Sequence, residues 1–180
     1  MKKAMFFAVF AAVLTAIAAP PPKLHGWNTW QRPGDGGKFE RIKPCADFPQ
    51  GAMKFLPDPE KKRYGIVWYR ALPAQPTDHL RFVFTFRSSP ETNSDAAVAL
   101  TMKAKDQKGA WCKQSLGERR QITVEPGKTQ IIEFEVDLRK CEIPEIGFLC
   151  PTITVSKLTA GDVTFTSFKI ETVGAAAAAK

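Results

Sequence analysis

The chain has 180 residues, with 26 Lys and Arg against 18 Asp and Glu, which gives a formal net charge of +8. This length fits one domain, and an apolar fraction of 44% excludes a mostly disordered or collagen-like chain. Two His and four Cys leave few ligands for an enzyme whose metal needs several of them.

The N-terminus is predicted to be a signal peptide that covers residues 1–18. Lys2 and Lys3 provide a basic start, residues 4–19 carry no charge, and the sequence Ala-Ile-Ala precedes the predicted cut. The apolar segment is shorter than the ~20 residues needed to span a bilayer. We therefore expect a secreted or periplasmic protein whose mature form has no transmembrane segment; an uncleaved N-terminal anchor is the alternative.

After the signal peptide, residues 19–36 are predicted to form an extended leader and a loop rich in Trp and Gly. Residues 37–173 are the predicted folded domain, and residues 174–180 are an Ala-rich tail. In the domain, apolar and polar residues alternate in short runs, and Gly or Pro interrupts every candidate helix. The clearest predicted strands are 64–71, 80–87, 96–103, 122–124, 131–138, 152–155 and 163–173.

Two local features of these strands are predicted. In the last strand, Phe165 and Phe168 are apolar but oddly spaced, so a β-bulge near Thr166-Ser167 is needed to keep both on one face. The run Glu125-Pro126-Gly127-Lys128 predicts a turn, with Pro at the position that type I and II turns favour.

The pattern as a whole predicts an all-β fold. Eight or more short strands with turn residues between them, and no long helix, are typical of an antiparallel β-sandwich of the jelly-roll kind. Parallel α/β folds need crossover helices that the sequence does not supply.

The four cysteines all follow the signal peptide, and in an oxidising compartment an even number suggests two disulfides. Three pairings are open. The short span from Cys141 to Cys150 contains a Pro and a Gly, so we favour Cys141–Cys150 with Cys45–Cys112 as its complement. Zinc is not expected, because there is no CxxC-like spacing or nearby His. The sequence predicts no metal site of its own.

The order of several runs resembles a known family. These runs are Gln50 to Phe55, Gly65 to Tyr69, Leu80 to Arg87, Val124 to Lys128, Ile131 to Val136 and Gly161 to Phe165. They are similar to galactose-binding-domain-like jelly rolls, particularly the carbohydrate-binding modules of the four/nine family group in secreted bacterial polysaccharidases. The similarity covers residues 37–172 and implies a free-standing sugar-binding module.

The resemblance also implies a structural calcium, since such modules commonly have acidic residues in the closing strand. This chain has Thr166-Ser167 there, and Asp162 is the only nearby carboxylate. Calcium prefers several hard oxygen ligands, carboxylates among them. We therefore expect no cofactor.

Sugar binding uses flat aromatic rings that stack on the apolar pyranose face and polar side chains that hydrogen-bond its hydroxyl groups. Several Trp, Arg and Lys side chains fall on predicted strand faces opposite apolar partners or in the Trp-rich loop. The predicted carbohydrate-binding residues are Trp68, Arg70, Arg87, Trp111, Lys113, Trp27 and Trp30. Burial in the core is the alternative for each Trp, and Tyr69 is assigned to the core.

The predicted function is a secreted, non-catalytic module that docks a polysaccharide, acidic glycans included because the chain is basic. The alternatives are a structural or protein-interaction domain of the cell envelope and a small polysaccharide lyase or hydrolase. Glu133 and Glu135 share a strand face, as a hydrolase pair on one strand would, but alternating charges on a solvated face are ordinary. Nucleic acid is not an expected partner, and the oligomeric state stays open.

Overall fold

The computed structural model describes residues 23–31, 36–58, 60, 65–143 and 145–174, and the predicted signal peptide lies outside them. The described residues form strands and two short 3-10 helices, Leu24–Gly26 and Leu138–Lys140. In chain order the strands are β1 Asn28–Gln31, β2 Lys38–Ile42, β3 Ala52–Leu56, β4 Gly65–Tyr69, β5 Leu72–Pro73, β6 His79–Ser88, β7 Ala97–Asp106, β8 Leu116–Thr123, β9 Thr129–Asp137, β10 Ile146–Ser156 and β11 Val163–Thr172.

These strands make two sheets. The first sheet has the order β1-β4-β10-β7-β8, with β5 also paired to β10, and the second has the order β2-β3-β11-β6-β9. Every pairing between neighbouring strands is antiparallel. This arrangement is the predicted all-β sandwich. No helix among the described residues is long and apolar enough to cross a membrane.

The core lies between the sheets and is aromatic. On β6, Phe82, Phe84 and Phe86 are fully buried and alternate with residues that face outward, as the period of two along a strand requires. Trp68 from the first sheet packs against Trp27, with ring centroids 4.6 Å apart. Trp27 in turn meets the ring of Phe84 edge-on at 5.5 Å, so the core joins both sheets.

The β-bulge predicted in the last strand is confirmed. The register between β11 and β6 shifts between Phe165, which lies opposite Phe86, and Ser167, which lies opposite Thr85. The extra residue returns Phe168 to the inner face, where it is fully buried and stacks on Phe84 at 4.5 Å.

The predicted turn between β8 and β9 is also confirmed. The N–H of Lys128 donates to the carbonyl of Glu125 at 3.1 Å. Pro126 occupies the first central position, and Gly127 occupies the second with a φ of 72°, as in a type II turn, which needs a residue that tolerates positive φ at that place.

The structure does not contain either predicted disulfide, because all four cysteines are free. Cys45 lies in the exposed loop between β2 and β3 of the second sheet, whereas Cys112 pairs through its backbone with Ala104 of the first sheet. Cys141 follows the 3-10 helix after β9, and Cys150 is buried within β10. The members of each predicted pair belong to different parts of the sandwich. The short span from Cys141 to Cys150 therefore did not predict a disulfide correctly.

Candidate functional site

The first sheet has an aromatic cluster on its outer face, the face turned away from the second sheet. Trp68 points inward to the core, so its neighbour Tyr69 points outward. The ring of Trp111, which is 48% exposed, meets the ring of Tyr69 at 5.5 Å with an interplanar angle of 63°. We call Trp111 and Tyr69 the aromatic platform.

A tight loop after β7 places Trp111 on this face. The carboxylate of Asp106 accepts the N–H of Ala110 at 2.8 Å, and the N–H of Asp106 donates to the carbonyl of Ala110 at 2.9 Å. Gly109, with a φ of 86°, supplies the positive φ at the bend. The chain folds back on itself, and Trp111 forms an isolated antiparallel bridge with Lys105.

Trp30 on the edge strand β1 lies on the same outer face. Its register partner is Val67, while Asn28, two residues earlier, lies opposite Tyr69. Trp30 and Tyr69 are therefore diagonal neighbours, for which a separation of roughly 7–8 Å is usual. The indole of Trp30 is 52% exposed, so it extends the exposed aromatic surface from the platform to the sheet edge.

Two lysines on β7 flank the platform. The Nζ of Lys105 is 4.6 Å from the ring centroid of Trp111, and that of Lys103 is 6.0 Å away, both within the range of cation–π attraction. Cys150 lies opposite Lys103 on this face and is completely buried. That burial raises the pKa of the Cys150 thiol to about 11, against the opposing charge of Lys105. Neighbouring side chains therefore cover the middle of β10 on this face and shield Cys150 from solvent.

The structure places two predicted sugar-binding residues, Trp27 and Trp68, in the core rather than on an open face. Both are at most 1% exposed, and neither indole N–H has a hydrogen-bond partner. The prediction identified the alternation along β4 but assigned the wrong face to the core. Tyr69, which was assigned to the core, is the half-exposed outward residue instead.

The predicted polar contacts do not gather around the platform as one set. Arg70 donates through Nη1 to the carbonyl of Gly26 at 3.0 Å, which ties it to the N-terminal segment. Arg87 lies on the second sheet, with its guanidinium 5.3 Å from the ring of Phe48. It lines a cavity of about 430 Å³ there. Lys113 is exposed two residues after Trp111.

The residues at the position where the fold family implies calcium do not fit a calcium site. One carboxylate oxygen of Asp162 lies 3.4 Å from the Nζ of Lys54, and the other accepts the Thr164 hydroxyl at 3.1 Å. A lysine ammonium thus already neutralises the single carboxylate. No group of three or more His, Cys, Asp or Glu side chains within reach of one metal ion occurs among the described residues.

The candidate hydrolase carboxylates on β9 are both paired. Glu133 accepts from Nε of Arg81 at 3.0 Å, and Glu135 lies 2.6 Å from Nε2 of His79. Both glutamates are on β9 of the second sheet. They reach Arg81 and His79 because β9 pairs with β6. Their surroundings match a solvated sheet face with ion pairs, as the alternating pattern indicates.

Comparison with proteins of known structure finds the same fold. The CBM22-1 xylan-binding domain of Xyn10C from Paenibacillus barcinonensis gives a TM-score of 0.53 at 13% identity, covering 87% of this chain and 91% of that one. A CBM4 structure gives 0.51 at 11% identity, covering 81% and 86%. The enzymatically active domain of bacteriophage CBA120 tailspike protein 4 gives 0.55 at 11% identity. There, 84% of this chain spans only 20% of the tailspike chain.

No protein-family model and no curated protein matches the chain. The structural neighbours are mostly carbohydrate-binding modules, and at these identities the likeness concerns the fold. The chain therefore has the β-sandwich fold of the jelly-roll kind that carbohydrate-binding modules such as CBM22 and CBM4 share, which confirms the fold class and the resemblance read from the sequence.

Proposed function

We propose that this protein is a secreted or periplasmic, non-catalytic carbohydrate-binding module that docks a polysaccharide on the outer face of the first sheet. The observation that carries the proposal is the platform itself. A half-exposed Trp111 ring is held edge to face against Tyr69 on the outer face of the first sheet. An exposed indole on a rigid sheet offers the flat apolar surface on which a pyranose ring stacks.

The geometry supports binding along the sheet rather than in a deep pocket. Trp30 is a diagonal neighbour of Tyr69, and the Tyr69 ring meets the ring of Trp111 at 5.5 Å, so the three rings form a row across the outer face. A polymer lying along this row could contact all three rings. The fold neighbours include a domain described as xylan-binding, which is consistent with a polymeric ligand.

Lack of catalysis is part of the proposal. Among the described residues, Glu133 and Glu135 are held in contacts with Arg81 and His79 on the opposite sheet, away from the platform. A glycosidase needs two carboxylates on either side of the scissile bond. The platform offers rings and ammonium groups instead, which can bind a sugar without cleaving it.

The test is affinity electrophoresis of residues 19–180 in gels that contain xylan, β-1,4-galactan, mixed-linkage glucan or an acidic polysaccharide. We expect retardation by at least one polymer, a loss of tenfold or more in affinity for Trp111→Ala, and a smaller loss for Trp30→Ala. Ile131→Ala is the matched control, because Ile131 is 54% exposed but lies on the second sheet. The proposal is wrong if no polymer retards the protein, or if Trp111→Ala and Ile131→Ala behave alike.

A further inference from the structure

The outer face of β7 changes character along its length. Its outward residues begin with Ala97, Ala99 and Thr101 and continue with Lys103 and Lys105. The inward residues of the same strand are core residues throughout. The outward side chains in the first half of the strand are small, and Ala97 and Ala99 are buried, whereas two ammonium groups occupy the second half beside Trp111.

Both ammonium groups lack a carboxylate partner among the described residues, since no Asp or Glu oxygen there lies within 4.0 Å of either Nζ. Some other basic residues of the sandwich are paired, as Lys54 is with Asp162 and Arg81 with Glu133. The acidic residue nearest in sequence, Asp106, instead accepts the Ala110 N–H within the loop. The platform is therefore flanked by positive charge that the described residues do not neutralise.

The contact with Trp111 does not use up these charges. A lysine ammonium has three donors and no acceptor, and attraction to a ring face leaves donors free for another partner. Lys103 is exposed and Lys105 is half-buried, so solvent reaches both side chains in part. A lysine side chain is long and flexible, so each ammonium group could turn from the ring to an anionic substituent of a sugar bound at Trp111.

We infer that the platform selects anionic polysaccharides, with the sugar ring stacked on Trp111 and its carboxylate or sulfate group bound by Lys103 and Lys105. This inference rests on the proposed function and names its ligand class. A neutral glycan would use the indole and could accept hydrogen bonds from the ammonium groups, but it carries no negative charge for them to neutralise. The net charge acts in the same direction, at +8 for the whole chain and +6 without Lys2 and Lys3 of the predicted signal peptide, because it draws anionic polymers to the protein at low salt.

The experiment compares three polymers of galactose-type sugars: polygalacturonate, a sulfated galactan and neutral β-1,4-galactan. Affinities are measured at about 50 mM and about 500 mM salt, since screening weakens exposed charge contacts. The test variant is Lys103→Gln/Lys105→Gln. The matched control is Lys43→Gln/Lys128→Gln, which removes the same charge from two exposed lysines beside the second sheet.

We expect the wild-type protein to bind at least one anionic polymer tenfold or more tightly than neutral galactan. The test variant should lose most of that preference, because its affinity for the anionic polymer falls by a larger factor than its affinity for any neutral polymer, and the control should keep the preference. The polymer that shows the larger effect distinguishes a uronate from a sulfate ester as the anion.

The results separate this inference from the proposed function. If a polymer is bound in a Trp111-dependent way but the lysine variant keeps its preference, or the control loses as much, the inference is overturned and the sugar site stands. If no polymer is bound, or Trp111→Ala has no effect, both fail together.

Discussion

Trp68 and Trp111 have the same side chain and opposite surroundings. Trp68 is fully buried against the rings of Trp27, Phe55 and Phe165. We expect Trp68→Ala to lower the free energy of unfolding by about 3–5 kcal/mol, as is usual when a buried aromatic side chain is removed. Urea denaturation followed by far-UV circular dichroism measures this loss.

The comparison for that prediction is Trp111→Ala. Nearly half of the Trp111 side chain is already in water, so its removal should lower the free energy of unfolding by about 0.5–1.5 kcal/mol, mainly through the lost ring contact with Tyr69. Equal destabilisation by the two variants would contradict the assignment of one Trp to the core and the other to the platform.

The cysteines make a second prediction at the level of single residues. Burial raises the pKa of the Cys150 thiol to about 11, so at pH 8 only about one thiol in a thousand is the reactive thiolate. Cys45 is exposed. In the native protein, we expect a thiol-specific reagent to label Cys45 first and Cys150 last, as read by mass spectrometry of peptides. Rapid native labelling of Cys150 would be incompatible with its position on β10.

Trp68 and Tyr69 show what the sequence of a strand cannot determine, namely which of its two faces is buried. The alternation of Trp68 and Tyr69 was visible, but a period of two has two phases, and only the neighbouring sheet decides which phase is inward. Trp and Tyr are both large and amphipathic, so hydrophobicity gave no preference. A comparison of Val67 with the small outward residues Ala97 and Ala99 would not have shown which phase faces inward, because the sequence does not show which strands are neighbours.

At the level of elements, the bulge in β11 sets which side chains are buried over half of a strand. Deleting Thr166 would remove the extra residue and turn Phe168 from the core towards solvent, because a slip of one residue reverses every side chain beyond it. We expect the deletion to abolish cooperative thermal unfolding, as measured by circular dichroism.

Thr166→Ala is the control for the deletion. It removes only the hydroxyl contact to the carbonyl of Thr85 at 3.4 Å, so it should stay folded with a small change in melting temperature. A deletion variant that melts like Thr166→Ala would show that the register shift is not required.

The end of β9 gives a prediction with a pH dependence. Hydrogen bonds from Arg139, at 2.7 Å and 2.8 Å, hold the pKa of Asp137 well below its usual range. A carboxylate whose pKa is lowered by folding stabilises the folded state above its unfolded pKa of about 3.9, and that stabilisation is lost as the pH falls towards the folded pKa. The difference in stability between wild type and Asp137→Asn should therefore be largest near neutral pH.

Melting temperatures of the two proteins between pH 7 and pH 2 test this dependence. The difference between the two melting temperatures should become smaller as the pH falls below about 4. The exposed Glu118, which forms no ion pair among the described residues, provides Glu118→Gln as a comparison that should not show this narrowing. If the difference in melting temperature between wild type and Asp137→Asn became larger in acid, the Asp137 carboxylate would not be the form that stabilises the folded state.

Strands with a long, regular alternation were predictable, whereas the others were predicted only in part or not at all. β6, β7 and β9 alternate in sequence over nine or ten residues, but only residues 152–155 of β10 and 122–123 of β8 were predicted. β1 and β5 have four and two residues, too few to establish a period against turn and loop alternatives. These short strands form because an adjacent long strand provides hydrogen-bonding partners, and this information lies elsewhere in the sequence.

At the scale of the whole molecule, the predicted site residues are divided between the two sheets. No local sequence pattern shows which residue belongs to which sheet. Arg87 and Trp111 are both outward residues, but one belongs to the second sheet and the other lies beside the first. A strand's sheet membership is fixed by pairing across distant parts of the chain, such as β4 with β10. The sequence could thus indicate sugar-binding side chains and the fold, but not which of them share a face.

The division of the four Trp residues into two buried and two exposed side chains can be measured in the intact protein. Trp27 and Trp68 are at most 1% exposed, while Trp30 and Trp111 are about half exposed. We expect acrylamide to quench the native fluorescence in two components, with the accessible component removed in Trp30→Phe/Trp111→Phe. If the outer face of the first sheet is the docking surface, a bound polysaccharide should protect that component alone. A ligand that protects no Trp while still binding would place the docking surface elsewhere on the sandwich, because both exposed indoles lie on the face proposed for it.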